Sequence, residues 1–568
     1  MLKNKYTFAL LTSSIFLLAL KPIEAFDTLW QLQSGKYIWE TGNFLYKDTF
    51  SLAKDSFRLE HCWLHDLILY MLYSIGGFNL LSILKPTLIA LSAIILYLWN
   101  IRRGGEPPFV LLLIIVCVIG SEQSWLVRPQ LWTVIFAMLQ ICILHEGREK
   151  GLKAWILLVP LMLLWANLHA GCVFGIVLTG LFVVAELIRA YQKKISLIAI
   201  KPLLLAGLLS FLAAFINPYG YRIPLSTLME RLTQHDTLTG DAPLAWMGNM
   251  EVLPPTFDQV PLFYIIMALW AVLIILRWRK LDPAEGVFFL AFTYMGFSQI
   301  RHTTLVAVLA GLYVPIAFQD IVKPYVLKMK RELAVTKALY FTSFSFLLVY
   351  IGLSAAWGQM GVGLKKDFYP EKAASFILEN RLPETMYNSF DWGGYLMWRL
   401  YPEYLVFTDG RGGSIERLEM SMRLDNGMYN LDEIMDKYNI NTVITNTCFY
   451  HTGGPMGSID QLVNNNNWAL IYKDEVAVIF IRKKEEFRHI WDRYQVPSVL
   501  AYETMIAEAN RLKKERFSPP KVLYALGKAN MSLGRYKESL KNYQEYLSEN
   551  PDNMQVKNIV KILGNYVK

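Results

Sequence analysis

Over roughly the first 360 residues, basic side chains fall into every second gap between apolar stretches, and this alternation limits the chain to a multi-span membrane fold. Lys3 and Lys5, Arg102 and Arg103, Arg148, Lys150 and Lys153, Arg189, Lys193 and Lys194, Arg277, Arg279 and Lys280, and Lys323, Lys328, Lys330 and Arg331 occupy one set of gaps. Short loops rich in Lys and Arg stay on the cytoplasmic side, so these gaps face inward and the others outward. A span needs about 20 apolar residues to cross about 30 Å of hydrocarbon. Stretches from Thr7 to Leu20, Leu80 to Trp99, Phe109 to Ser121, Leu131 to Leu144, Ala154 to Ala166, Val173 to Ile188, Leu203 to Ile216, Pro261 to Leu276, Gly286 to Ser298, Thr304 to Phe318 and Leu339 to Trp357 give about eleven spans, with the C-terminal third outside. Leu64 to Ile75, closed by Gly76 and Gly77, reads as a helix in or near the outer interface.

The chain is 54% hydrophobic over 568 residues, too apolar for a soluble protein of this size. Much of its net charge of +9 lies in the short inner loops, and no basic patch interleaved with aromatics marks a nucleic-acid partner. Five scattered cysteines show neither metal-site nor disulfide spacing. Lys3 and Lys5 ahead of the first apolar run also fit a signal peptide ending near Ala25, but the spans that follow favour an uncleaved first helix. The expected division is a membrane domain over 1–357 with a first outer loop at 25–79, an extracytoplasmic α/β domain over 358–495, and a helical tail over 496–568. In the α/β domain, Leu405 to Thr408 and Thr442 to Thr445 read as short buried strands, and Ala469 to Tyr472 with Val476 to Ile481 as a hairpin.

The outward gaps carry the residues suited to chemistry. Asp27, flanked by Phe26 and Trp30 just past the first span, is a partly desolvated carboxylate suited to act as a general base or metal ligand. Asp48 lies in the same loop, where it could also cap a local helix. His61 and His65 are four apart, a spacing that on one helical face permits metal binding, although packing is the ordinary use of such a pair. Arg128, Arg301 and His302 sit at outer span ends, where a cation is costly unless it faces a cavity or an anion such as a lipid phosphate. Asn167 and His169 mark another outer end, and Asn217-Pro218-Tyr219-Gly220 reads as a turn. In the soluble third, Asp391-Trp392-Gly393-Gly394-Tyr395 and Asp409-Gly410-Arg411-Gly412-Gly413 stand out, the second just after a predicted strand, where α/β proteins often place ligand loops.

With these residues assembled, roughly residues 1 to 357 resemble the GT-C superfamily of membrane glycosyltransferases. The resemblance rests on Asp27, Trp30, Gly35, Gly42, Asp48, Ser51 and Trp63-Leu64, and on Arg128-Pro129, Asn167-Leu168-His169 and Arg301-His302. It implies a polyprenyl-phosphate-linked sugar donor and an acidic residue of the first outer loop at the acceptor. Asp27 would be that residue, with Asp48 the second carboxylate. Arg128, Asn167, His169, Arg301 and His302 would lie on the lipid-phosphate side. The cofactor stays open, a divalent cation (Mg2+ or Mn2+) held by Asp27, Asp48 or His65 being the candidate. Many members have two adjacent acidic residues where this chain has Asp27-Thr28. The chain looks closest to a group of bacterial membrane proteins, which implies the inner (plasma) membrane and a glycan, lipid or protein acceptor. The tail resembles a tetratricopeptide repeat through Leu523, Leu526, Gly527, Gly534, Tyr536, Ser539, Tyr543 and Pro551, a pattern that most often binds a protein partner. Two other functions fit the same spans: an O-antigen polymerase or ligase leaning on Arg128 and Arg301, and a non-catalytic envelope scaffold acting through its repeat tail.

Overall fold

The computed structural model describes residues 5–53, 59–226, 250–411, 415–514, 519 and 521–567. Two compact units emerge. The first comprises 1–25, 34–44 and 59–364, and the second comprises 26–33, 45–58 and 365–568.

The first unit is helical. Each apolar stretch of the sequence forms helix, including Lys5–Ala19, Pro107–Ile119, Gln130–Lys150, Cys172–Tyr191, Lys201–Ala213, Pro261–Leu276 and Glu332–Ala356. Among the described helices, four are long and apolar enough to cross a membrane, and a bent pair, Ile300–Ala310 and Val314–Lys328, passes when joined; several shorter apolar helices accompany them. The interfacial helix and second span of the sequence reading are one element, Trp63–Arg102, broken internally where Gly76 (φ −143°) and Gly77 (φ +58°) leave helical geometry. A buried core of Leu11, Ile15 and Leu18 with Ala93, Leu96, Ile114, Phe136 and Trp165 runs through the unit.

The basic gaps end in ion pairs that tie helices together. Arg148, near the end of Gln130–Lys150, reaches Glu186 of Cys172–Tyr191 at 2.7 Å and Asp282 at 2.5 Å. Asp282 also caps Pro283–Ser298 by accepting the Ala284 N–H at 3.1 Å. One carboxylate thus satisfies an orphan helix donor and an arginine together.

The second unit is built on a four-stranded sheet of β1 (Met386–Asn388), β2 (Thr442–Thr445), β3 (Trp468–Lys473) and β4 (Val478–Arg482) in the order β1-β2-β4-β3. β1 and β2 run parallel, and the other neighbours antiparallel. The β3–β4 hairpin turns on Asp474, whose Oδ1 accepts the N–H groups of Val476 and Ala477. Leu405 to Thr408 is not a strand of this sheet, contrary to the sequence reading. It makes single parallel bridges, Leu405 to Thr385 and Val406 to Ser51. The Asn388 side chain completes its pairing, accepting the Phe407 N–H at 2.7 Å and donating to the Thr408 carbonyl at 2.8 Å.

The tail consists of helices Ala501–Lys513, Val522–Ser532, Tyr536–Glu549 and Met554–Tyr566. Gly527 lies so close to the Tyr543 ring that a Cβ there would sit 2.7 Å from it, and Gly534 takes φ +73° in the turn between the helices. Glu508 pins the first tail helix to the end of β2 by accepting the N–H groups of Thr447 and Cys448 and the Thr447 hydroxyl.

Behind β1 lies a buried acid. Asp425 accepts hydrogen bonds from the Tyr387 and Ser458 hydroxyls, and burial pushes its carboxyl up to about 7. The folded state therefore binds this proton more tightly than the unfolded chain, so its contribution favours folding at low pH and is lost as pH rises from the ordinary carboxylate range toward about 7. Thermal unfolding at pH 5 and pH 8 should show the part of that loss that falls between them, at most roughly 3 kcal/mol, and Asp425→Asn should flatten the difference.

Candidate active site

Sequence places Asp27 beside the first span, and the fold gives it a defined seat. It lies in the first turn of helix Phe26–Thr41, where a carboxylate complements the helix dipole. The N-terminal part of that helix, 26–33, belongs to the second unit. Phe26 stacks on Phe368 at 4.7 Å and meets Tyr450 edge-on at 5.6 Å, while Tyr369 stacks on Tyr395. Trp30 Nε1 donates to Asp27 Oδ1 at 3.1 Å.

Two glycine motifs of the second unit form the floor beneath Asp27. A Cβ on Gly394 would lie 2.7 Å from the Phe26 carbonyl, and one on Gly393 only 2.2 Å from the Thr408 carbonyl. A Cβ on Gly410 would lie 2.6 Å from Asp27 Oδ1. Gly393 has an ordinary right-handed backbone (φ −52°), so its role is close approach and not a strained turn.

Asp48 is buried and engaged on both oxygens. Oδ1 accepts the Phe50 N–H at 3.0 Å and Arg411 at 3.1 Å, and Oδ2 accepts the Ser51 hydroxyl at 2.7 Å. Arg411 grips Asp409 through two parallel bonds of 2.7 Å and lies over the Phe50 ring. Asp48, expected from the sequence as the second carboxylate of the site, thus ties its loop to Arg411. Gly412 and Gly413 of the same motif lie outside the described residues.

Asp391 was visible in the sequence only as part of a glycine-rich run. Burial raises its carboxyl above the ordinary range, the nearby His451 lowers it, and the charge of Asp27 raises it again. Asp27, Asp391 and the exposed His451 thus share one electrostatic neighbourhood.

The remaining candidates belong to the first unit. Arg128 pairs with Glu251 at 2.7 Å. Asn167 accepts from Trp63 Nε1 and donates to the Leu163 and Ile216 carbonyls, so its amide is built into the helix end. The Gly171 N–H donates to His169 Nδ1 at 3.3 Å, which makes that nitrogen an acceptor and Thr133, at 2.6 Å, its donor. Arg301 and His302 occupy the first turn of Ile300–Ala310; Arg301 Nε donates to Gln299, and His302 Nδ1 to the Met295 carbonyl.

The candidate metal ligands are engaged in part. Both Asp48 oxygens accept hydrogen bonds, and Trp132 Nε1 donates to His65 Nδ1 at 3.0 Å, while His65 Nε2 is buried without a partner among the described residues. The helix begins at Trp63, so His61 precedes it and shares no helical face with His65. Among the described residues, no three His, Cys, Asp or Glu are placed to hold an ion.

No protein-family model matches the sequence, and no curated protein sequence matches it. Solved structures do. The archaeal oligosaccharyltransferase AglB from Archaeoglobus fulgidus, in complex with an inhibitory peptide and a dolichol-phosphate, aligns over 97% of this chain and 87% of its own, with a TM-score of 0.58 at 11% identity. The chain has the GT-C fold. The apo form of the A. fulgidus oligosaccharyltransferase aligns over 89% of this chain and 78% of its own, with a TM-score of 0.55 at 11% identity. Its complex with Zn and sulfate gives 0.55 at 10% identity over 97% and 86%. The chain is thus a helical membrane protein carrying a second, mixed α/β unit.

Removing Asp48 leaves a buried hydroxyl and a backbone donor without their acceptor, while Arg411 keeps its two bonds to Asp409. Asp48→Ala should therefore cost roughly 1–3 kcal/mol in thermal unfolding of the purified protein, the scale of buried donors left unsatisfied.

Proposed function

We propose that this protein is a glycosyltransferase that moves a sugar from a polyprenyl-phosphate-linked donor to a glycan, lipid or protein acceptor at the extracytoplasmic membrane face. The observation that carries the reading is the seating of Asp27 against Gly410, within the field of Asp391. The fold it shares with AglB, a protein solved with a dolichol-phosphate and a peptide, supports a lipid-linked donor and a separate acceptor.

In this reading Asp27 orients the acceptor and takes its proton. The acceptor heteroatom attacks the anomeric carbon, the bond from that carbon to the phosphate oxygen breaks, and the lipid phosphate leaves with the electron pair. A single displacement inverts the anomeric centre. Arg301 and His302, in the first turn of a helix whose dipole already favours anions, neutralise the departing phosphate. Arg128, already paired with Glu251, and His169 support that side, whereas Asp48 and Asn167 act structurally. The reading uses no divalent metal from Asp48 or His65.

The proposed setting is a bacterial inner membrane crossed by about eleven spans over 1–357, with the α/β domain at 358–495 and the tail at 496–568 outside. The Gly527–Tyr543 packing and the Gly534 turn support a tetratricopeptide-type tail that presents a surface to a protein partner.

The test is transfer from a polyprenyl-phosphate sugar in membranes. Asp27→Asn should cut turnover by at least about a hundredfold, the scale of a lost general base. Full transfer by Asp27→Asn with loss in Arg301→Ala would favour the polymerase or ligase reading. Silence of both, with loss of function on removing the tail, would favour a scaffold.

Asp391 makes a second prediction. Its carboxyl holds a proton at a pH where an ordinary one is ionised, with Asp27, His451 and Asp425 as the charged groups that interact with it. We assign its ionised form a part in the field around Asp27, acting through charge and not through a bond. Transfer should therefore fall on acidification at a higher pH than a free carboxylate would dictate. In Asp391→Asn the remaining activity should keep to lower pH, as read from the acid limb of kcat/KM.

A further inference from the structure

The Asp409-Gly410-Arg411 turn has no chemical step in the reaction as proposed, yet it touches both Asp27 and Asp48. Arg411 joins Asp48 to Asp409 through bonds of 3.1, 2.7 and 2.7 Å, and its own N–H donates to Asp409 Oδ1 at 2.8 Å. The turn is thereby fixed at both ends: a backbone N–H and a hydroxyl hold Asp48, and the guanidinium fork holds Asp409. The middle residue, Gly410, offers its bare α-carbon to Asp27 Oδ1, with Trp30 Nε1 next nearest at 3.5 Å from the Cβ position. Trp30 in turn donates to that same carboxylate oxygen.

We infer that Gly410 and the Asp48–Arg411–Asp409 clamp are positioning residues that fix where the Asp27 carboxylate points. This rests on the reading of Asp27 as the base. The clamp sets the height of the turn, the glycine leaves space for one carboxylate oxygen, and the Trp30 indole fixes its rotation. A methyl group at 410 cannot coexist with Oδ1 at 2.6 Å, and the atom it meets is the end of a short side chain and not backbone. The side chain can therefore yield at small cost to folding, but the reactive oxygen moves. A displacement approaching 1 Å at a reacting group is enough to cost about a hundredfold in rate.

The experiment is a double-mutant cycle in the full-length protein in membranes, with a polyprenyl-phosphate sugar as donor. Gly410→Ala should lower kcat at least tenfold with KM for the donor unchanged and thermal unfolding close to wild type. Arg411→Lys keeps the charge but loses the fork, and should show the same split between kcat and KM. In an Asp27→Asn background, Gly410→Ala should reduce the residual rate no further. Wild-type turnover in Gly410→Ala, or a loss that multiplies with that of Asp27→Asn, would overturn the inference while leaving Asp27 as the base. Full activity in Asp27→Asn alone would overturn the functional reading, and this inference with it.

Discussion

Three residues of the first outer loop hydrogen-bond to a chain segment more than 350 positions away. The Leu52 N–H donates to the Val406 carbonyl at 2.9 Å, and the Val406 N–H donates back to Phe50 at 3.2 Å. On its other side, the segment carrying Val406 bridges Thr385, next to β1. The loop therefore lies at the sheet edge as an extra ribbon, and backbone donors that a surface loop would leave to water are satisfied by the second unit. Asp48, two residues before Phe50, can then meet Arg411, and the clamp closes over the same edge. What looks in sequence like a connection between two spans is, over 45–53, part of the α/β unit.

The glycines of this unit serve proximity. Gly393 and Gly394 let the turn at Thr408 and Asp409 and the start of helix Phe26–Thr41 pack against one short helix, Gly393–Leu400, and Gly410 leaves room for Asp27. Each position would bring an alanine Cβ under 3.0 Å from another group. Tight backbone approach of this kind limits where the Asp27 carboxylate can sit, and the Trp30 indole donates to the same oxygen. Asp391 and the exposed His451 share the same field.

Much of the helical part was legible because its signals are local and strong. Apolar runs and the Lys and Arg between them locate helices such as Pro261–Leu276 to the residue. Thr442–Thr445, a β-branched run, was equally plain. β1 was missed because three residues, Met386–Asn388, show no periodicity. Leu405 to Thr408 looked like a strand because its apolar pattern is that of one, but its neighbours are a three-residue loop ribbon and the side chain of Asn388. Asp27 could be picked out from its place after the first span. The pairing of Asp48 with Arg411 could not, since 363 positions separate them and nothing local distinguishes a paired carboxylate from a reactive one. The glycines around Asp391 and Asp409 were the available signal, but nothing in them shows which backbone they approach.

Amide hydrogen exchange across 45–53 in the intact protein tests the central claim, that this loop segment is a built part of the α/β unit. The Leu52 and Phe50 N–H groups, bonded to Val406 and Asp48, should exchange with protection comparable to that of β2, and Arg411→Lys should lower protection at both. Exchange at the rate of an open loop in the unmodified protein, with β2 still protected, would contradict the account.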